Sequence, residues 1–151
     1  MEKMQLSTRA RYATRAMLEL AASYGEGPLQ LKEIAKKQQI SAKYLEQVLV
    51  ALRKAGYIHT QKGNRGGYML AVPPREITLY DVISTVEGSL APVACVDNTA
   101  LCQRSGHCVT REVWGRLKNK IIGELASTTL ADLVLAQEQQ NTRGGAISYQ
   151  I

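Results

Sequence analysis

The fold of this chain is decided by the stretch from Ser41 to Val72, which reads SAKYLEQVLVALRKAGYIHTQKGNRGGYMLAV. Its first part has the apolar spacing of an amphipathic helix, which Ser41 caps and Gly56 ends. Its second part predicts two short strands that flank the glycine-rich turn 62–67. We therefore expect a helix that is followed directly by a β-hairpin.

Two further helices are predicted before this stretch. The first begins after Ser7 and ends near the breaker cluster 25–28, and the second spans Leu31 to Gln38. Three short helices followed by a β-hairpin is the order of a winged helix–turn–helix, in which the third helix enters the DNA major groove. The predicted fold class is mainly α with a small β-hairpin, a winged helix–turn–helix domain joined to a long C-terminal helix.

The second half of the chain predicts more helix around one irregular segment. Thr78 to Asp81 resembles a capping box that opens a fourth helix, and a long amphipathic helix is predicted from about Thr110 to Ser127. A short last helix follows. The predicted division is a DNA-binding domain at 1–87, a cysteine-bearing loop at 88–109, two helices at 110–140 and a flexible tail at 141–151.

Charge is distributed unevenly along the chain. Residues 1–75 carry 13 Lys or Arg against 5 Asp or Glu, a net charge of +8, whereas residues 76–151 have a net charge of −2. A basic half of this kind suggests a polyanionic partner, although a solvated basic face without a partner would have the same composition. The sequence contains neither a bilayer-spanning apolar run nor a signal-peptide region, so we expect a cytoplasmic protein.

Candidate DNA contacts lie on the third helix and in the turn of the hairpin. Gln can bond adenine at two points and Glu can accept from cytosine, and residues in the first half of a recognition helix reach base edges. The alternative for Glu46 is an ion pair with Lys43 or Lys54 on a solvated face. The candidates are Ser41, Lys43, Tyr44, Glu46 and Gln47 on the helix, and Lys62 and Arg65 in the turn.

All three cysteines fall in one short loop, at Cys95, Cys102 and Cys108. Clustered thiols are typical of sites for a soft metal or an iron–sulfur cluster, and an odd count argues against a disulfide scaffold. The loop contains no Cys-x-x-Cys pair and no acid–base set beside a thiol, so an enzyme or electron carrier is not expected. Three thiolates leave a fourth ligand position open.

The chain resembles the IscR-type family of bacterial winged-helix transcription regulators, in its iron–sulfur branch. The resemblance is carried by 6–13, 40–47, 65–68, 77–83 and 128–133, which include Tyr-Leu-Glu-Gln and Gly-Gly-Tyr. It implies a homodimer that binds palindromic double-stranded operator DNA, with the long helix near 110–127 as the dimer contact. It also implies that the three cysteines hold an iron–sulfur cluster, with 2Fe–2S favoured over 4Fe–4S. CymR-type members of the family lack these cysteines.

Two departures from the family pattern concern the fourth ligand. The position of the usual histidine, three residues after the third cysteine, is Arg111, and the position of an acidic residue used by some relatives is Arg11. A guanidinium stays protonated and offers no lone pair to a metal. His107 is then the leading candidate, and the alternatives are Asp97, Glu112, a partner subunit, a small thiol or water. Zinc is a competing occupant of such a site.

The expected function is that of a homodimeric DNA-binding regulator that senses iron–sulfur cluster, iron or redox status through its three cysteines. The alternative is a thiol-redox or cysteine-metabolism repressor without a cluster. A metabolic enzyme as regulatory partner also stays open, because nothing in the sequence tests it.

Overall fold

The computed structural model describes the backbone of residues 5–148 and the side chains of residues 5–144. Its helices are α1 (Thr8–Ala22), α2 (Leu31–Gln38), α3 (Ala42–Lys54), α4 (Leu79–Glu87), α5 (Val109–Ala126) and α6 (Leu130–Ser148), and its strands are β1 (Ile58–Gln61) and β2 (Gly67–Leu70). The predicted fold, mainly helical with one β-hairpin, is confirmed. Among the described residues, no helix is both long and apolar enough to cross a membrane.

The core is aliphatic and lies where α1, α3 and α4 meet. Ser7 caps α1, because its hydroxyl accepts from the backbone N–H of Ala10 at 3.0 Å. Full burial of an aliphatic side chain stabilises the fold by roughly 1.5–3 kcal/mol. The largest contributions from these helices come from Met17, Leu20, Leu45, Val48, Leu49, Leu52 and Val82.

The turn between α2 and α3 is short and tightly defined. α2 ends at Gln38, and Gln39, which caps it, adopts a left-handed conformation with φ 56°. Ile40 follows and is buried, and Ser41 then caps α3 by accepting from the N–H of Tyr44 at 3.1 Å. This turn sets the direction of α3 relative to α2.

The β-hairpin, called the wing below, is joined to the segment before α2. β1 and β2 pair in antiparallel register, with Ile58 opposite Leu70. Leu29 and Tyr68 exchange two backbone hydrogen bonds of 2.9 and 2.8 Å, so a third extended segment lies along β2. A Cβ on Gly67 would overlap the carbonyl oxygen of Leu29, so this close approach requires glycine.

α6 returns to the N-terminal domain and is longer than expected. Leu130 is fully buried, and its N–H donates to Ile77 O at 2.9 Å. α6 continues through residues 141–148, where the sequence predicts a flexible tail. Glycine lowers helix propensity but keeps its backbone N–H, so Gly144 does not break the helix as proline would. Residues 149–151 of the predicted tail lie outside the described part.

We expect Gly67→Ala to destabilise the wing, because Gly67 combines a φ of +155° with the close contact to Leu29. The free energy of unfolding in urea should fall by on the order of 3 kcal/mol. The control is Gly106→Ala, where a Cβ meets nothing within 4 Å. Equal stability of the two variants would contradict this account of the wing.

Candidate nucleic-acid interface and cysteine loop

The outward face of α3 is polar and exposed. Because Leu45, Val48, Leu49 and Leu52 face the core, the residues between them face solvent. Four of the predicted contact residues are exposed, namely Ser41, Lys43, Glu46 and Gln47. The face thus offers hydrogen-bond donors and acceptors of the kinds that read base edges.

Tyr44 differs from the other candidates on α3. Its side chain is only half-exposed, and its ring meets the ring of Tyr12 on α1 edge to face, with centroids 5.7 Å apart. Its contact with α1 gives the residue a packing role that the sequence did not indicate.

The wing places two cations at the surface. Lys62 and Arg65 are both exposed, in the turn between β1 and β2. The side-chain amide of Gln30, which precedes α2, donates to Asn64 O at 3.4 Å. The turn is therefore connected both to its own strands and to the start of α2.

The three cysteines lie on separate turns of the cysteine loop (residues 88–109). Cys95 is half-buried in the 3₁₀ turn Ala94–Val96, Cys102 is exposed, and Cys108 is half-buried at the start of α5. His107 is exposed. Within residues 5–148, no three His, Cys, Asp or Glu side chains come together in a way that could hold a metal ion. The structure thus places the predicted ligands on one loop without gathering them.

Two cations of α5 hold the first part of this loop. The guanidinium of Arg111 donates to Cys95 O at 2.8 Å and to Val96 O at 3.2 Å. Lys118, two turns further on, forms a 2.7 Å ion pair with Asp97. Hydrogen bonds from Lys118 and from the Ser89 hydroxyl lower the pKa of Asp97. The carboxylate of the candidate ligand Asp97 is therefore already bonded to Lys118 and Ser89. Arg111, which the sequence shows only as unable to bind a metal, has the structural role of holding the loop backbone.

Cys108 has the environment of a reactive thiol. Its sulfur lies 3.1 Å from the Thr110 hydroxyl, and this hydrogen bond is the largest cause that lowers the pKa of Cys108. The backbone N–H of Arg111 adds to the effect, whereas burial opposes it. The thiolate is the form that binds metals and attacks oxidants, so Cys108 is favoured for both kinds of chemistry.

The donor chemistry of the loop fits a soft metal at three positions. Cys95, Cys102 and Cys108 are free thiols, and thiolates are the usual ligands of iron–sulfur clusters. Arg111 offers no lone pair to a metal, and its guanidinium already donates hydrogen bonds to the loop backbone. The candidate beside the third thiolate is His107, which is exposed and adjacent to Cys108.

α5 has an apolar surface that the described residues of its own chain leave uncovered. No side chain of Val109–Ala126 is fully buried, and the large apolar residues Val109, Val113 and Trp114 are exposed. Exposed apolar residues that recur on one helix mark an interaction surface. This is the helix for which the family resemblance implies a dimer contact.

Comparison with known proteins gives consistent matches over most of the chain. The Rrf2 family model, described as an iron-dependent transcriptional regulator, matches residues 6–136. Protein rrf2 of Nitratidesulfovibrio vulgaris is 43% identical over 131 residues, covering 87% of each chain.

Solved structures of two transcription regulators have the same fold. One is CymR, the global cysteine regulator of Bacillus subtilis, with 38% identity, a TM-score of 0.75 and coverage of 87% of this chain and 97% of CymR. The other is T. potens IscR, with 40% identity, a TM-score of 0.76 and coverage of 90% of each chain. The relatives are regulators of transcription and not enzymes.

Removal of the Arg111 guanidinium should loosen the cysteine loop locally. Arg111→Met leaves two carbonyls without their charged donor, and hydrogen bonds to a charged group contribute roughly 1.5–3 kcal/mol each. We expect faster proteolytic cleavage within 88–109 and a lower free energy of unfolding. Arg116→Met, at an exposed position of α5, is the control and should change neither measurement. Identical cleavage of the two variants would contradict the assigned role of Arg111.

Proposed function

The chain belongs to the Rrf2 family of transcriptional regulators, and we propose that it acts as a homodimer on palindromic double-stranded DNA. The observation that carries the proposal is the exposed polar face of α3, together with the exposed cations of the wing. Both belong to the half of the chain that has a net charge of +8. Positive charge attracts DNA of any sequence, whereas base-edge contacts select among sequences.

Each candidate residue has a role that follows from its chemistry. Gln47 and Glu46 would bond adenine and cytosine in the major groove, and each good bidentate contact contributes roughly 1–3 kcal/mol of discrimination. Ser41 and Lys43 lie at the start of α3, where they can bond phosphates or bases. Arg65 and Lys62, both exposed in the wing, would contact the DNA phosphate backbone or the minor groove.

The homodimer would form through α5. Its exposed apolar residues Val109, Val113 and Trp114 need a cover, and a second copy of the same helix supplies a complementary one. Two α3 helices related by a twofold axis would then meet half-sites about one DNA turn apart, ~34 Å. A palindromic operator follows from this symmetry.

The cysteine loop is the proposed sensor. Cys95, Cys102 and Cys108 would hold an iron–sulfur cluster, and such a cluster supplies a redox-active group whose gain or loss reports iron or oxidant status. His107 is the proposed fourth ligand, with Glu112 as an alternative in the first turn of α5. The similarity to IscR supports this proposal.

The loop is mechanically connected to the DNA-binding domain. Arg111 and Lys118 tie it to α5, as described above. At its other end, the carboxylate of Glu87 accepts a 2.5 Å hydrogen bond from Ser7, the residue that caps α1. A change in the loop would therefore alter the placement of α5 relative to α1, and with it the distance between the two α3 helices of a dimer.

A second candidate is a thiol switch without a metal. The lowered pKa of Cys108 favours it, because a larger thiolate fraction reacts faster with peroxide to give a sulfenic acid. The similarity to CymR, which is named a global cysteine regulator, supports instead the alternative of a cysteine-metabolism repressor.

The experiment that separates the two candidates is anaerobic purification followed by iron, sulfide and zinc analysis. We expect a coloured protein with iron and acid-labile sulfide, and DNA binding to a selected palindrome that changes when the cluster is removed. Cys102→Ala should retain the fold, because Cys102 is exposed, but should lose the cluster and its effect on binding. Gln103→Ala, also exposed, is the control. A colourless protein with stoichiometric zinc, or with no metal, would contradict the cluster proposal.

The thiol candidate makes its own prediction about pH. Because hydrogen bonding lowers the pKa of Cys108, its alkylation by iodoacetamide should reach half-maximal rate at a lower pH than that of a cysteine in a short unstructured peptide. Thr110→Val removes the hydrogen bond that is the largest cause of the lowered pKa, so the alkylation rate of Cys108 should rise only at higher pH. Metal-free protein and peptide mass spectrometry give the rate at each thiol. Superimposed Cys108 profiles for the wild-type protein and Thr110→Val would rule out the activated thiol.

A further inference from the structure

We infer that Tyr12 and Arg15 of α1 are positioning residues that orient the first turn of α3 and thereby set sequence discrimination. The inference rests on the proposed function, since it assumes that α3 reads DNA. Neither residue belongs to the predicted contact set. Together with Glu19 they form the α1 ridge, at spacings of three and four residues along one side of the helix.

One end of the α1 ridge holds α3. The ring of Tyr12 meets the ring of Tyr44 edge to face, at an interplanar angle of 85°. Tyr44 lies in the first turn of α3, and its N–H is the one bonded to the Ser41 cap. An aromatic pair of this kind contributes about 0.5–1.5 kcal/mol beyond the area that it buries, and its geometry is directional.

The other part of the ridge holds the end of α2. The Arg15 Nε donates to Gln38 Oε1 at 2.7 Å, and its Nη2 donates to the Gln38 backbone carbonyl. The side-chain amide of Gln38 donates in turn to Glu19 at 2.5 Å, and Glu19 forms a 3.4 Å ion pair with Lys37. The last residues of α2 are thus bonded to α1 through several side chains.

Arg15 connects the two ends. Its guanidinium carbon lies 5.5 Å from the centroid of the Tyr12 ring, while its nitrogens bond Gln38. The α1 ridge therefore contacts the residues on both sides of the α2–α3 turn, whose first residue, Gln39, has a left-handed backbone. A turn that is held on both sides fixes the angle at which α3 leaves it.

This angle matters more for base reading than for phosphate binding. Hydrogen bonds to base edges weaken steeply when distance or angle changes, whereas charge attraction to phosphates tolerates small rotations. Arg15 is itself exposed, so its replacement leaves no cavity in the core. Loss of its contacts should therefore reduce discrimination with little loss of stability.

The test compares Arg15→Lys with Arg9→Lys, an exposed arginine of the same helix. Lysine keeps the charge but cannot form the two-point contact with Gln38. The probe is the duplex that wild-type protein selects from a random library of short double-stranded DNA, with unselected duplex as reference. We expect Arg15→Lys to lower the ratio of the two affinities by about 3–10-fold, with an unchanged salt dependence and melting temperature. Arg9→Lys should keep the wild-type ratio.

A second measurement needs no DNA. Amide NMR shifts of Ser41 to Leu45 should move in Arg15→Lys and not in Arg9→Lys, because only the former changes the support of the first turn of α3. Unmoved shifts in Arg15→Lys would overturn the inference, and so would a wild-type affinity ratio for this variant. An equal loss of affinity for both duplexes would overturn it as well, because that result indicates a direct contact between Arg15 and phosphate. If wild-type protein selects no sequence, the proposed function fails as well, whereas selection by wild type with an unaffected Arg15→Lys defeats only this inference.

Discussion

The burial of one side of α3 against α1 is the constraint on which the rest of the structure depends. Leu45, Val48, Leu49 and Leu52 occupy that side, and they fix the rotation of α3 about its own axis. Because α3 buries only one of its sides, the same packing turns Glu46 and Gln47 on the opposite side toward solvent. The proposed base-reading face is thus a consequence of core packing and needs no separate arrangement.

Rotation about the axis leaves the tilt of α3 open, and weaker contacts at the surface determine it. The edge-to-face pair of Tyr12 and Tyr44 and the bonds from Arg15 to Gln38 act at the two sides of the turn before α3. The wing is placed similarly, by Leu29 pairing with Tyr68. The apolar core determines most of the stability of the fold, whereas polar and aromatic contacts at the surface orient α3 and the wing. The stability of the fold and the orientation of these elements are therefore partly independent, as the proposed functions of α3 and the cysteine loop require.

Local signals in the sequence predicted most elements correctly. Ser7, Ser41 and Thr78 each cap a helix, and the breaker at Gly56 separates α3 from the wing, since capping and turn formation depend on neighbouring residues. The length of α6 was missed because its last turns have no apolar stripe to mark them. The role of Arg111 was missed because its partners, Cys95 and Val96, are distant in sequence. The signal that the sequence did offer for this role is the pair of cations Arg111 and Lys118, which lie two turns apart on α5.

The sequence by itself determined the order of helices and strands, the family resemblance, the basic half of the chain and the presence of three thiols in one loop. Only the tertiary structure decided what those residues touch. It showed that Gly67 is required by the backbone of Leu29, that Arg111 bonds the carbonyl of Cys95, and that Tyr44 packs on α1. Periodicity and capping act within a few residues, whereas these contacts join segments that only the folded core brings together, so no local pattern encodes them.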